Sequence, residues 1–285
     1  MFRSVLAALL LGMLPLASQA PQGSSAAPGI IAVAPPMAPV NITEHLSASG
    51  VLIIDANGGQ ELYAQQATVR RPMASLTKLM TALIIVENHE FTEVVAVPQE
   101  VENINGSVIS LPPGERFTVS DLLSALLIAS SNDASYALAV FHSGSEKAFV
   151  EEMNKRAQML GLNDTHYANA SGLDSTEQWS TPRDIAWLAS FVLKKPAIRE
   201  RMGKRGKRIL SLEGTDIFLT HTHALLHTDA SVHAGKTGTT NAAKECLLSL
   251  VDVGGKSYIV VLLHSVSRYM DMRTILDVLE GSTVS

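Results

Sequence analysis

The chain has 285 residues, 46% of them apolar, which is enough for one sizeable core or one core shared between two lobes. A formal net charge of -5 gives no basis for a nucleic-acid partner. One cysteine, Cys246, excludes an internal disulfide, and its place in the apolar run CLLSLV marks a buried strand residue rather than a nucleophile.

Residues 1–20 read MFRSVLAALLLGMLPLASQA, with Arg3 ahead of a 12-residue apolar run and small residues after it. That is the pattern of a signal peptide, cut after Ala20 or nearer Ala26, and the run is too short to span a bilayer comfortably. The mature protein is therefore expected to be soluble and periplasmic or otherwise extracytoplasmic. Residues 21–44 are rich in Pro, Ala, Gly and Ser and read as a flexible linker, with the folded part over 45–285.

Two extended runs flank Asp55-Ala-Asn-Gly-Gly59, a hairpin signal. Residues 75–87 carry Leu76, Leu79, Met80, Leu83 and Ile84 at helical spacing. Further helices are expected over 119–128, 133–141, 146–160 (closed by Gly161) and 182–193 (opened by Thr181 and Pro182). The last third changes character, with strands expected over 236–239, 245–253 and 256–263 and a turn at Gly254-Gly255. A helix over 272–279 closes the chain. Strands at both ends must meet to cover their apolar faces, which predicts an α+β fold: an antiparallel sheet flanked by helices, with a helical insertion as a second lobe.

Chemistry-bearing residues recur in three places. In PMASLTKLMTAL, Ser75 and Lys78 stand at i and i+3 and leave the same helix face. A serine hydroxyl needs a base to become a good nucleophile, and Lys78 can serve only if an apolar surround or a second cation lowers its pKa. Alone, the pair would read as an N-cap serine and a snorkelling lysine. It is joined by Ser130-Ser131-Asn132 between two helical runs, and by Lys236-Thr237-Gly238-Thr239 at the start of a strand. The order S-x-x-K, S-x-N, K-T-G on a helix, a loop and a strand is a specific signature.

This set resembles the penicillin-binding, active-site-serine D,D-peptidases. The segments RRPMASLTKLMTA, DLLSALLIASSNDASYALA, FVEEMNKRAQMLGLNDTHYANASGLD, STPRDIAWLA and GKTGTTNAAKECLLSLV are similar to the low-molecular-mass D-alanyl-D-alanine carboxypeptidases, over roughly residues 47–279. The resemblance implies a β-lactamase/transpeptidase-like fold, with a D,D-peptidase domain over 45–285. It implies Ser75 as nucleophile, Lys78 as base and Ser130 as proton relay to the leaving D-alanine. Asn132 would hold Lys78 and the substrate amide, Lys236 and Thr237 would meet the terminal carboxylate, and Gly238 would keep the strand clear. Backbone N–H groups of Ser75 and Thr239 would form an oxyanion hole. The implied partners are peptidoglycan stem peptides and, as covalent inhibitors, β-lactam antibiotics. No metal or cofactor is called for.

Two positions depart from the pattern: Ser131 fills a position often held by glycine, and Lys244 stands where a small residue usually follows Asn-Ala-Ala. Arg268 is either an added carboxylate contact or a surface arginine. Several other readings compete. An endopeptidase cutting D-alanyl crosslinks would use the same residues, and the early stop at Ser285 suits either reading. A class A β-lactamase would need a glutamate that drives deacylation, but Met159 stands in that place ahead of Leu162-Asn163. His221, His223 and His227, with His233 beyond, have ligand-like spacing, although structural hydrogen bonding is the plainer reading. A non-catalytic wall-binding protein would draw on the basic run 194–208, which holds eight of the 22 basic residues. A solvated helix and turn is the bland account of that run, and peripheral contact with the wall or a membrane surface the sharper one.

Overall fold

The computed structural model describes residues 37–284. The signal peptide expected at 1–20 and most of the linker lie outside the described residues. From Met37 onwards the segment expected as linker contacts the first hairpin. Met37 N donates to Gln60 Oε1 at 2.9 Å, and Gln60 Nε2 donates to Met37 O at 2.8 Å. Val40 N donates to Leu62 O at 2.9 Å, and the Val40 side chain is buried. This segment thus covers part of an edge strand that would otherwise expose its backbone.

That strand belongs to the expected hairpin, β1 (Gly50–Asp55) and β2 (Glu61–Gln65). Asp55 folds the turn by accepting from Asn57 N at 3.2 Å and Gly58 N at 2.7 Å. A 3₁₀ turn, Ala74–Thr77, then leads into α1 (Lys78–Asn88). The sequence predicts one helix from residue 75, but Thr77 Oγ1 donates to Ala74 O at 2.9 Å and keeps the first turn tight.

A short pair, β3 (Val94–Ala96) and β4 (Arg116–Thr118), brackets a second 3₁₀ turn, Gln99–Asn103. The helical lobe follows as α2 (Val119–Ile128), α3 (Asn132–Ser143), α4 (Glu146–Met159), α5 (Pro182–Val192) and α6 (Pro196–Met202). Thr118, Ser131, Ser145 and Thr181 cap α2 to α5, each accepting from the N–H three residues on. In α2, Leu122, Leu123, Leu126 and Leu127 are all fully buried, so this helix is the lobe's centre rather than an amphipathic cover. Each such leucine contributes about 1.5–3 kcal/mol by burial.

A second small hairpin, β5 (Gly206–Leu210) and β6 (Asp216–Thr220), precedes α7 (Leu225–Thr228). Then come β7 (Val232–Thr240), β8 (Lys244–Val253), β9 (Lys256–Ser265) and α8 (Arg268–Val284). The main sheet is antiparallel, in the order β2-β1-β9-β8-β7, so the first and last thirds of the chain meet at β1 and β9.

Both faces of the sheet are covered. Leu52, Ile54, Leu248, Ile259 and Val261 join the core shared with the helical lobe, while Val51, Ile53, Leu247, Val260 and Leu262 pack towards Met272, Ile275 and Leu279 of α8. That double burial explains why β8 and β9 read as continuous apolar runs rather than alternating ones. The α+β architecture is the one expected. Among the described residues no helix is long and apolar enough to cross a membrane.

Candidate active site

Four chain segments meet at one end of β7: the 3₁₀ turn with the start of α1, the loop entering α3, the loop around Ser171, and β7 itself. Ser75 sits in the 3₁₀ turn, not in the helix, and Lys78 is the first residue of α1. Lys78 is fully buried. Its Nζ lies 3.0 Å from Ser75 Oγ, 2.7 Å from Asn132 Oδ1 and 2.6 Å from Ser171 O. The Asn132 amide is oriented by a second bond, from Nδ2 to Asn105 O at 2.7 Å, so its oxygen is the atom facing the lysine.

These contacts decide what the lysine can do. Burial, then the neighbouring Lys236 charge, push the Lys78 pKa well below its ordinary 10.5, and Asp133 opposes the shift. A neutral amine has two N–H bonds and one lone pair. Asn132 Oδ1 and Ser171 O can accept only, so they take the two N–H bonds and leave the lone pair facing the Ser75 hydroxyl. The arrangement is that of a serine with a proton acceptor already in place.

Lys236, also fully buried, lies within β7, which begins at Val232 and so places K-T-G mid-strand rather than at its start. Its Nζ donates to Ser130 Oγ at 2.6 Å and to Thr237 O at 2.8 Å. Burial, then the charge of Arg268, lower its pKa to about 7. Ser130 has φ of 59°, a left-handed conformation that costs a non-glycine residue about 1–2 kcal/mol. Its neighbours hold it there. Ser131 caps α3, and Asp133 accepts from Ile109 N at 3.2 Å and Leu111 N at 3.0 Å, tying the facing loop to α3. The departure at Ser131 thus has a structural account: its buried hydroxyl accepts from Ala134 N and donates to Asp133.

Gly238 is required by proximity. A Cβ there would lie 2.8 Å from Ser75 N and 2.9 Å from Ala74 Cβ. Gly172 abuts the other side of the same turn: with φ of 95°, a Cβ would meet Ala74 O at 2.0 Å. Two glycines on distant segments therefore close on the turn that carries Ser75.

All eight candidate residues fall in this region: Ser75, Lys78, Ser130 and Asn132 on one side, and Lys236, Thr237, Gly238 and Thr239 on β7. Other participants were missed. Ser171 contributes a backbone carbonyl, which no side-chain motif announces. Thr222 Oγ1 lies 2.6 Å from Thr237 Oγ1. Arg268, left open by the sequence, donates from Nη1 to Gly238 O and Thr239 Oγ1, both at 2.8 Å.

The histidines flanking Thr222 serve as supports. His223 N donates to His221 Nδ1 at 3.0 Å, His223 Nε2 pairs with Ser249 Oγ at 2.8 Å, and His227 Nε2 pairs with His221 O at 3.0 Å. Burial lowers His221 to about 3 and His223 to about 4, so both stay neutral at ordinary pH. Cys246 is buried beneath the turn, with Sγ 3.9 Å from Pro72 O, and burial raises its thiol to about 11, which keeps it protonated.

A two-lobed α+β fold with a half-buried serine against a fully buried lysine, a second serine–lysine pair and a glycine-cleared edge strand defines an active-site-serine acyl-transfer architecture. Residues 36–267 match the D-alanyl-D-alanine carboxypeptidase family, and the chain belongs to it.

Among its relatives, a Bacillus subtilis protein named D-alanyl-D-alanine carboxypeptidase DacF is 34% identical over 75% of this chain. The chain spans 57% of that relative's length. A Pseudomonas aeruginosa protein named D-alanyl-D-alanine endopeptidase is 28% identical over 86% of this chain and 80% of its own. The crystal structure of a Streptomyces DD-transpeptidase superposes with a TM-score of 0.78 at 28% identity, covering 84% of this chain and 98% of the other.

Proposed function

We propose that this protein is a serine-type D-alanyl-D-alanine carboxypeptidase that removes the terminal D-alanine from peptidoglycan stem peptides outside the cytoplasm. The observation that carries the reading is the fully buried Lys78 amine 3.0 Å from Ser75 Oγ, with two fixed acceptors on its other positions.

Ser75 Oγ attacks the carbonyl carbon between the two D-alanines while Lys78 takes its proton. The oxyanion lies between the backbone N–H groups of Ser75 and Thr239, an interaction worth about 2.7–4 kcal/mol per donor in other enzymes. Ser130, bonded to Lys236, passes a proton to the leaving D-alanine nitrogen, and the C–N bond breaks to leave an ester on Ser75. Water, its proton taken by the same amine network, then cleaves the ester. Because β7 is a sheet edge, an extended peptide can lie along it, and the glycine at 238 keeps that edge clear. Lys236, Thr237 and Thr239, with Arg268 behind them, present the cationic and hydroxyl groups suited to the substrate's terminal carboxylate, and Asn132 suits its amide. A β-lactam would acylate Ser75 by the same first step.

The name of the Pseudomonas relative supports a second reading, in which the same residues cut a D-alanyl crosslink. The deciding assay compares a soluble pentapeptide with crosslinked muropeptide dimers. Free D-alanine from the pentapeptide, absent with Ser75→Ala, is the expected result. Dimer cleavage alone would assign the endopeptidase, and activity persisting in Ser75→Ala would remove Ser75 from the mechanism.

A further inference from the structure

The basic run 194–208 divides sharply by what its side chains touch. Five of its eight cations are held. Lys195 pairs with Glu87 at 3.3 Å, Lys207 with Asp121 at 2.7 Å, and Arg208 with Asp216. Arg201 bonds Ser120 Oγ at 2.8 Å and Ser124 Oγ at 3.1 Å, and Arg205 bonds Leu226 O at 3.0 Å. The other three, Lys194, Arg199 and Lys204, are exposed and have no side-chain partner among the described residues.

Those three line one groove of about 880 Å³, between the α5–α6 corner and the sheet, together with Asn57, Glu200 and His233. His233 pairs with Asp252 at 3.2 Å, so Glu200 is the groove's one acidic lining residue set against three free cations. On a chain of net charge -5, such a concentration is a local reversal of sign. His233 and Lys236 are three residues apart on β7, which puts the groove roughly 10 Å along the strand from the catalytic lysine.

We propose that this groove is a second binding site, which holds an extended anionic segment of the cell-wall polymer while Ser75 acts on a stem peptide. The choice of wall polymer rests on the reading of the Ser75 site given above. Concavity favours a chain over a membrane: a lipid surface needs a flat or protruding patch, whereas a groove lined on both sides admits a strand. The recognised chemistry is a row of carboxylates or phosphodiesters, either of which matches a guanidinium and two ammonium groups. Holding the polymer raises the local concentration of stem peptides without touching the chemical step.

The test uses the full chain with Ser75→Ala, so that substrate is not consumed, and measures co-sedimentation with insoluble sacculi at low and at about 0.15 M salt, where screening shortens to about 8 Å. The triple variant Lys194→Glu, Arg199→Glu, Lys204→Glu is compared with Lys147→Glu, Lys155→Glu, Arg273→Glu, an equal charge change on exposed residues elsewhere. We expect the groove triple to lose about tenfold or more in retention at low salt, and the control triple to stay within about twofold. A softer triple to Gln should fall in between.

Sacculi stripped of phosphodiester polymers by hydrofluoric acid, or amidated at their carboxylates, separate the two anion sources; loss on either treatment supports the site. Retention surviving both treatments, or equal losses in the two triples, overturns it. So does groove-dependent binding to phosphatidylglycerol vesicles with no groove dependence on sacculi. In the Ser75-intact background the groove triple should release D-alanine from soluble pentapeptide at the wild-type rate, and a matching loss there would place these residues in the active site instead. Failure of the Ser75 reading would appear as absent D-alanine release with sacculus retention untouched.

Discussion

Replacing Lys236 with methionine should change stability in a way that depends on pH. In the folded protein this lysine titrates at about 7, against 10.5 when exposed, because burial and then the Arg268 charge disfavour its ammonium form. That lowering corresponds to roughly 5 kcal/mol of penalty on the ammonium form. The folded pKa is the lower one, so between pH 7 and 10.5 the unfolded chain binds more protons and wild-type stability rises with pH. Below about 7 the full penalty is present, and above about 10.5 it is gone.

Methionine fills similar space without a charge, so Lys236→Met removes this burial penalty. It also takes the donor away from Ser130 Oγ and Thr237 O, a pH-independent loss of about 1–3 kcal/mol per group left unsatisfied. Urea unfolding of both proteins at a series of pH values separates the two effects. The variant should be the less stable protein near pH 10 and gain steadily on wild type as pH falls to 7, by about 3–5 kcal/mol in total. A stability difference that is flat across that range would mean that Lys236 keeps an ordinary pKa, and the electrostatic account of the cleft would fail.

Gly238→Ala should slow acylation by about 10- to 100-fold, because the new methyl must displace the Ser75 turn at a strain of about 1–3 kcal/mol. A wild-type rate with fluorescent penicillin would mean that the turn tolerates displacement. Arg268→Leu removes one cause of the Lys236 shift, so the rise in stability with pH should move towards the alkaline end, and KM should increase more than kcat falls. An unchanged stability profile would show that burial alone sets the Lys236 pKa. Zinc or a chelator should leave Tm unchanged, since His221, His223 and His227 each already use a ring nitrogen on a protein partner. A dose-dependent rise of several degrees would reassign them.

The parts of this molecule legible in sequence are those carried by side-chain identity and period. Ser75 with Lys78, Ser130 with Asn132, and Lys236 to Thr239 announce themselves by residue type and order, and the long strands β8 and β9 by near-continuous apolar runs. What stayed hidden depends on backbone. The Ser171 carbonyl could be supplied by any residue, and only the left-handed glycine after it hints at a close approach. The 3₁₀ turn at Ala74–Thr77 has the apolar spacing of a helix, because one turn is too short for the two periods to diverge. The strands β3 and β4 are three residues each, below the length at which alternation can be read. Residues 37–44 have linker composition, yet Met37 bonds Gln60 and Val40 bonds Leu62 of β2, since an edge strand supplies backbone partners to any sequence. Arg268 lies 29 residues from Thr239 in sequence, and only the return of β9 beside β8 brings it to the cleft.

The central claim is that Ser75 is activated by a lysine held neutral. Its most direct test is the pH dependence of Ser75 acylation by a fluorescent penicillin, followed by stopped flow with the adduct confirmed by intact mass. The rate should climb with pH through an apparent pKa well below 10.5 and level off, with Lys78→Ala slower by orders of magnitude at every pH. A rate that keeps rising until pH 10.5, or a Lys78→Ala protein that acylates normally, would contradict the account.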